Sequence, residues 1–127
     1  MAVDFLAEAA RAQPDAPALD DGVRGWSYRE LGQRVGAAAQ RLRGAVASGS
    51  TVALVSEPTG SAVMAVHAVL AAGAVLAPLS PRLTRDELRR ALEVLKPDLV
   101  LSAPAAWECT SSGGARLVPL AALDGEG

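Results

Sequence analysis

The sequence predicts an α/β fold in which a parallel sheet is covered by helices on both faces, a three-layer arrangement. Two observations carry this. Three short apolar runs, Thr51–Val55, Val75–Leu79 and residues 99–101, have the length and branching of buried strands. Between them lie helical patterns joined by short turns. Strand, helix, strand, helix, strand in that order means two successive right-handed crossovers, and hence parallel strands.

Each element has a local cause. Asp4 is placed to cap a short helix with Phe5, Leu6, Ala9 and Ala10 on one side. It ends at Gln13-Pro14, because a proline disfavours helix in the residue before it. Asp20-Asp21-Gly22, between Ala18-Leu19 and Arg24-Gly25-Trp26, is a turn signal for a small hairpin. Ser27 and Glu30 spell a capping box: the Ser27 hydroxyl accepts from the Glu30 amide while the Glu30 carboxylate accepts from the Ser27 amide. The helix so opened carries Tyr28, Leu31, Val35, Ala38 and Leu42 on one apolar stripe, with Arg29, Gln33, Arg34, Gln40 and Arg41 largely off it.

Thr51–Val55 then reads as a central strand and Ser56-Glu57-Pro58-Thr59-Gly60 as its turn, followed by an apolar helix over 62–72. Gly73 sits where a helix stops, since only glycine enters the left-handed conformation without strain. Thr84 and Glu87 form a second capping box. Its helix turns Leu88, Ala91, Leu92 and Leu95 inward and is stopped by Lys96-Pro97. Residues 102–114 are rich in Ala, Pro, Ser and Gly and hold no period. Leu117-Val118-Pro119-Leu120 is expected as an edge strand, because Pro119 cannot donate to an interior ladder, and residues 124–127 as a frayed end. The core is therefore expected over about 4–102 of one domain spanning 1–127, with loop, edge strand and frayed end over 103–127.

Composition narrows the function. A chain of 127 residues is one domain by size, large enough for a real core. Half is hydrophobic, but only 3% is aromatic and 27 residues are alanine, so the core must form by close approach of small and branched side chains. A net charge of −2 offers no basic field to nucleic acid or an anionic membrane. The single Cys109 excludes an intrachain disulfide and fits a reducing compartment. Residues 1–5 lack the basic flank and apolar core of a signal peptide, so a cytoplasmic location is expected. The apolar run 62–79 is near the spanning minimum of ~17 residues, but it holds His67, breaks at Gly73 and meets Pro78; it reads as a buried helix and strand.

The chemistry is mostly one of absences. A phosphate-gripping loop needs clustered glycines, hydroxyls and usually a lysine. The nearest match, Cys109-Thr110-Ser111-Ser112-Gly113-Gly114, is followed by Ala115-Arg116 and reads as a surface loop. Ser56-Glu57-Pro58 after the first core strand is no dinucleotide fingerprint. His67 pairs formally with Cys109 as base and nucleophile, but a buried histidine bonded to a backbone carbonyl is the simpler expectation. One His, one Cys and scattered carboxylates make no zinc site. Asp20-Asp21 and Asp86-Glu87 sit at a turn and a helix start, where carboxylates serve structure. Arg82, Arg85, Arg89 and Arg90 form a basic cluster expected to be a solvated face. No catalytic, cofactor-binding or metal residue is assigned.

Trp26-Ser27-Tyr28-Arg29-Glu30-Leu31 resembles the Thr/Ser-Tyr-x-Glu-Leu motif of the adenylate-forming superfamily: acyl-CoA synthetases, nonribosomal adenylation domains and luciferases. The run from Leu70 to Pro81 is similar to that family's next motif, leucine, lysine, alanine, glycine, then a strand ending Val-Pro-Leu-x-Pro. Leu83-Thr84 and Glu87-Leu88 follow in family order. The resemblance covers about residues 4–102 and only the opening part of a family member. It implies the N-terminal subdomain of the adenylate-forming, acetyl-CoA synthetase-like fold. The parent reaction it implies is acid plus ATP to acyl-adenylate, then transfer to CoA or a carrier thiol, as in an AMP-forming acid–thiol ligase. ATP, magnesium and CoA are expected for the full-length enzyme and no cofactor for this segment. Its implied partners are the remainder of the parent chain and, in the full enzyme, a small carboxylic acid; a homo-oligomer is compatible with it.

Two departures matter. Ala71 stands where the family usually has lysine, and the family's Thr-Ser-Gly-Thr-Thr-Gly phosphate loop and catalytic lysine have no counterpart here. The family assigns both motifs present to folding of the first subdomain, so the segment by itself is expected to be inactive. Within the family, the compact run Ala65-Val66-His67-Ala68 into Gly73 resembles the small acyl-CoA ligases, of the o-succinylbenzoate–CoA ligase type of menaquinone biosynthesis. Two other readings compete: a stand-alone non-catalytic binding or assembly domain of the same fold, and an unrelated flavodoxin-like domain holding a small ligand at its strand ends.

Overall fold

The computed structural model describes residues 5–102 and 116–124. Helix α1 (Phe5–Ala12) leads into a hairpin of β1 (Pro17–Asp20) and β2 (Gly25–Ser27). The expected turn closes it. The Asp20 carboxylate accepts from the Gly22 N–H at 2.9 Å, and that of Asp21 from Val23 and Arg24 at 3.0 and 2.8 Å. Asp4, the expected cap of α1, lies outside the described residues.

Helix α2 (Tyr28–Ala45) opens with the predicted capping box: the Glu30 N–H donates to Ser27 Oγ at 3.2 Å and the Ser27 N–H to Glu30 Oε1 at 3.0 Å. Leu31, Val35, Ala38 and Leu42 of the expected stripe are buried, joined by Ala39. Tyr28 at the first position is half-buried.

The main sheet holds β3 (Thr51–Val55), β4 (Val75–Leu79), β5 (Leu99–Ser102) and β6 (Arg116–Pro119), ordered β4-β3-β5-β6 with every pair parallel. Helix α3 (Gly60–Ala71) carries the chain from β3 out to β4, and α4 (Arg85–Leu95) carries it back past β3 to β5. Because the direction of travel reverses, two crossovers of the same hand must place their helices on opposite faces. They do. Val52, Leu54, Leu76, Leu99 and Leu101 pack toward α2 and α3, whereas Ala53, Val55 and Val100 pack toward Leu88 and Leu92 of α4. The strand period of two thus sends alternate residues of β3 into two separate cores, as expected for a sheet covered on both faces.

Both edge strands contain a proline at a harmless position. The Val75 N–H donates to the Ser50 carbonyl at 2.8 Å, so odd-numbered amides of β4 face β3 and the missing N–H of Pro78 faces the open edge. Pro119 ends β6, which among the described residues pairs only with β5. The expected edge strand is therefore present one residue earlier than read, over Arg116–Pro119. Leu120 instead begins a short helix, α5 (Leu120–Asp124). Leu120 and Leu123 are buried in the core between α2 and α3, and Arg41 donates to the Leu123 carbonyl at 2.8 Å. Packing thus continues beyond residue 102, the expected limit of the core.

The helix stops are as local as the starts. At the end of α3, Gly73 takes φ +77°, its N–H donates to Leu70 O, and the Ala74 N–H donates to Val69 O, both at 3.1 Å. This is the paired 5→2 and 6→1 bonding of a Schellman motif. Arg43 adds a bond to the Ala71 carbonyl at 2.9 Å. Helix α4 ends at Lys96, which is left-handed at φ +48°.

Candidate functional site

In an open parallel sheet, ligands bind outside the carboxyl ends of the strands, where successive connections leave in opposite directions. Here that point lies between β3, whose chain leaves toward β4, and β5, whose neighbour on the far side is β6. The hydroxyls at these strand ends are committed or buried. Ser56 Oγ donates to the Glu57 carbonyl at 2.9 Å, and Ser80 Oγ accepts from the Arg82 N–H at 3.1 Å. Ser102, the last residue of β5, is fully buried beside Val55 and Pro119 in register, and its Oγ has no hydrogen-bond partner. The loop after β5, including Cys109 and the Thr110–Gly114 cluster, lies outside the described residues.

The other generic anion sites are helix N-termini, whose free amides and positive dipole end receive phosphates. The starts of α2, α3 and α4 are occupied by the chain's own side chains. Ser27 with Glu30 closes α2, and Thr84 with Glu87 closes α4 at 3.0 and 3.1 Å. On α3 the Ala62 N–H donates to Thr59 Oγ1 at 3.2 Å, and the Gly60 N–H donates to the Asp21 carboxylate reaching over from the hairpin. The electrostatics agree. Amide donation from Arg24 and Val23 holds the Asp21 carboxyl below its usual value, that from Ser27 does the same for Glu30, and that from Thr84 for Glu87. Fixed carboxylates stand where a phosphate would otherwise sit.

Asp21 belongs to a larger interlock that sequence reading missed. Trp26 is buried with Leu31, Val35 and Met64, and Arg24 stacks on its ring at 5.0 Å from the centroid. The ring also lies against Gly60, the first residue of α3, which was read as part of the preceding turn. The one available signal was a glycine, in place of a better helix former, at a position where its lack of a side chain admits a large ring.

His67 corrects an expectation. It is exposed, not buried. Helix α3 buries Met64, Ala65, Ala68 and Val69, so His67, Leu70 and Ala71 face outward. Alanine and valine lie all round this helix, and its outward face is not marked by composition. The pairing of His67 with Cys109 falls outside the described residues. Arg82, Arg85, Arg89 and Arg90 are all exposed, and Arg89 meets Asp86 at 2.8 Å, in keeping with a solvated face. Among the described residues no group of three His, Cys, Asp or Glu side chains is arranged to hold a metal, and no helix is long and apolar enough to cross a membrane. The starts of the described helices α2, α3 and α4 are thus taken up by the chain's own side chains.

A parallel sheet with helices packed on both faces places the domain in the α/β class. The family model described as AMP-binding enzyme matches residues 6–123, and the chain belongs to that family. Enterobactin synthase component F of Escherichia coli is 38% identical over 99 residues, 77% of this chain and 8% of that protein. The Bacillus subtilis o-succinylbenzoate coenzyme A synthetase MenE, solved in complex with AMP, superposes with a TM-score of 0.87 at 21% identity, over 98% of this chain and 33% of its own. The Klebsiella oxytoca NpsA N-terminal subdomain superposes at 0.84 with 21% identity, over 94% and 31%. This chain thus spans about a third of those two solved structures and a small part of the synthase. The fold is the N-terminal subdomain of the adenylate-forming fold. The alternative of an unrelated flavodoxin-like domain falls with the family match.

Proposed function

We propose that this chain is the opening part of the N-terminal subdomain of an adenylate-forming ligase. In the whole reaction a carboxylate attacks the α-phosphorus of ATP, pyrophosphate leaves, and the acyl-adenylate then yields its acyl group to a thiol with release of AMP. The observation that carries the reading is the family match over residues 6–123 on a sheet whose helix starts are already closed. The chain's own share is structural. Stabilising charge on transferring phosphates needs preorganised donors aimed at them, and the described residues direct theirs at Asp21, Glu30 and Glu87. ATP, magnesium and the acid fall to the remainder of the parent chain, which is the partner this reading requires. A cytoplasmic location accompanies it, and the net charge of −2 supports neither a nucleic acid nor an anionic membrane as partner.

The thiol is the finer point. A CoA acceptor, of the o-succinylbenzoate ligase type, rests on the compact run Ala65-Val66-His67-Ala68 into Gly73. A probable nonribosomal peptide synthetase of Salinispora arenicola, 34% identical over 119 residues, by contrast favours the carrier thiol of a nonribosomal adenylation domain. Acid-dependent exchange of pyrophosphate into ATP tests the main reading. The purified chain is expected to give none over a panel of aryl and amino acids, and ATP with magnesium is expected to leave its melting temperature unchanged. Exchange above background would show a catalytically complete domain and overturn it.

A further inference from the structure

We draw no further inference here: the strongest candidate, the half-bare strip formed by Leu70 on α3 and Val75 at the head of edge strand β4, 57% and 53% exposed, carries no proposal because nothing in the structure shows what covers it.

Discussion

The Trp26 ring fills the space that a side chain on Gly60 would need: its Cη2 and Cζ3 atoms lie 2.6 and 2.8 Å from where a Cβ would stand. This contact, together with the bond from the Gly60 N–H to the Asp21 carboxylate, fastens the β1–β2 hairpin over the start of α3. The ring is rigid and buried with Leu31, Val35 and Met64, so it has little room to retreat. Gly60→Ala is therefore expected to destabilise the domain by about 1–3 kcal/mol, the usual cost of overpacking. Urea unfolding followed by circular dichroism checks it. If the contact is the cause, adding Trp26→Leu should make the double variant less unstable than the two single effects summed. Strict additivity would refute the steric account.

The three self-capping carboxylates set a pH dependence. Asp21, Glu30 and Glu87 are each held below their usual values of 3.8, 4.5 and 4.5 by backbone amides. A lowered folded-state pKa means the stabilisation is complete above the unfolded value and is lost as pH falls through the folded one. Melting temperature should thus be insensitive to these groups near neutrality and decline as pH falls through the usual glutamate value of 4.5, at which the unfolded carboxyls are already half protonated. All three are exposed to solvent, so the decline should be shallow. In the Glu30→Gln/Glu87→Gln variant the slope between pH 4.5 and 3 should be visibly flatter, with the scale set by those usual values. An unchanged slope would remove both boxes from the acid response.

What could be read in advance was what is decided within a few residues. Ser27 with Glu30, Thr84 with Glu87 and Gly73 each act on their own helix end, and each stands where the pattern put it. The alternation of strands and helices, read together, also gave the covered parallel sheet. Relations that join distant segments were not readable. Asp21 looks like a turn residue because it is one, and its second role on Gly60 depends on where α3 lands. Helix α3 is apolar all round, so its buried side had to be chosen by packing against α2 and the sheet, which left His67 outside.

Lys96 ends α4 in the left-handed region at φ +48°, immediately before Pro97. The proline disfavours a further right-handed turn, and a residue with a Cβ pays about 1–2 kcal/mol to be left-handed. Glycine relieves that strain but loses more chain entropy on folding. Lys96→Gly should net a gain of roughly 0.5–1 kcal/mol, read as a higher denaturation midpoint at unchanged slope. A loss would mean that the lysine side chain itself supports the cap.

Ser102 presents the opposite situation, a polar atom in the wrong place. Its Oγ is buried at the end of β5 with no partner, and neither Val55 nor Pro119 beside it offers a donor or acceptor side chain. An unbonded buried hydroxyl costs about 1–3 kcal/mol of desolvation. Ser102→Ala should therefore leave stability unchanged or raise it, by up to about 1 kcal/mol once the lost packing of one atom is counted. A clear fall in melting temperature would show that the hydroxyl is bonded in solution.

The last element tests how far the domain's core extends. Helix α5 has only five residues, too short to be stable by propensity, so packing must hold it. Two contacts do so: Leu120 and Leu123 enter the core shared by α2 and α3, and Arg41 donates to the Leu123 carbonyl at 2.8 Å. Leu123→Ala removes buried methyls from a five-residue helix held by few contacts, where neighbours can relax. The expected loss is about 2 kcal/mol, the low end for leucine in a core. Arg41→Ala should cost less, about 0.5–1.5 kcal/mol, because only one hydrogen bond is lost and the carbonyl can turn to water. The two effects should be coupled, since either change frees the same five residues. If Leu123→Ala proves silent in a denaturant titration, α5 is an appendage and the core closes at β6.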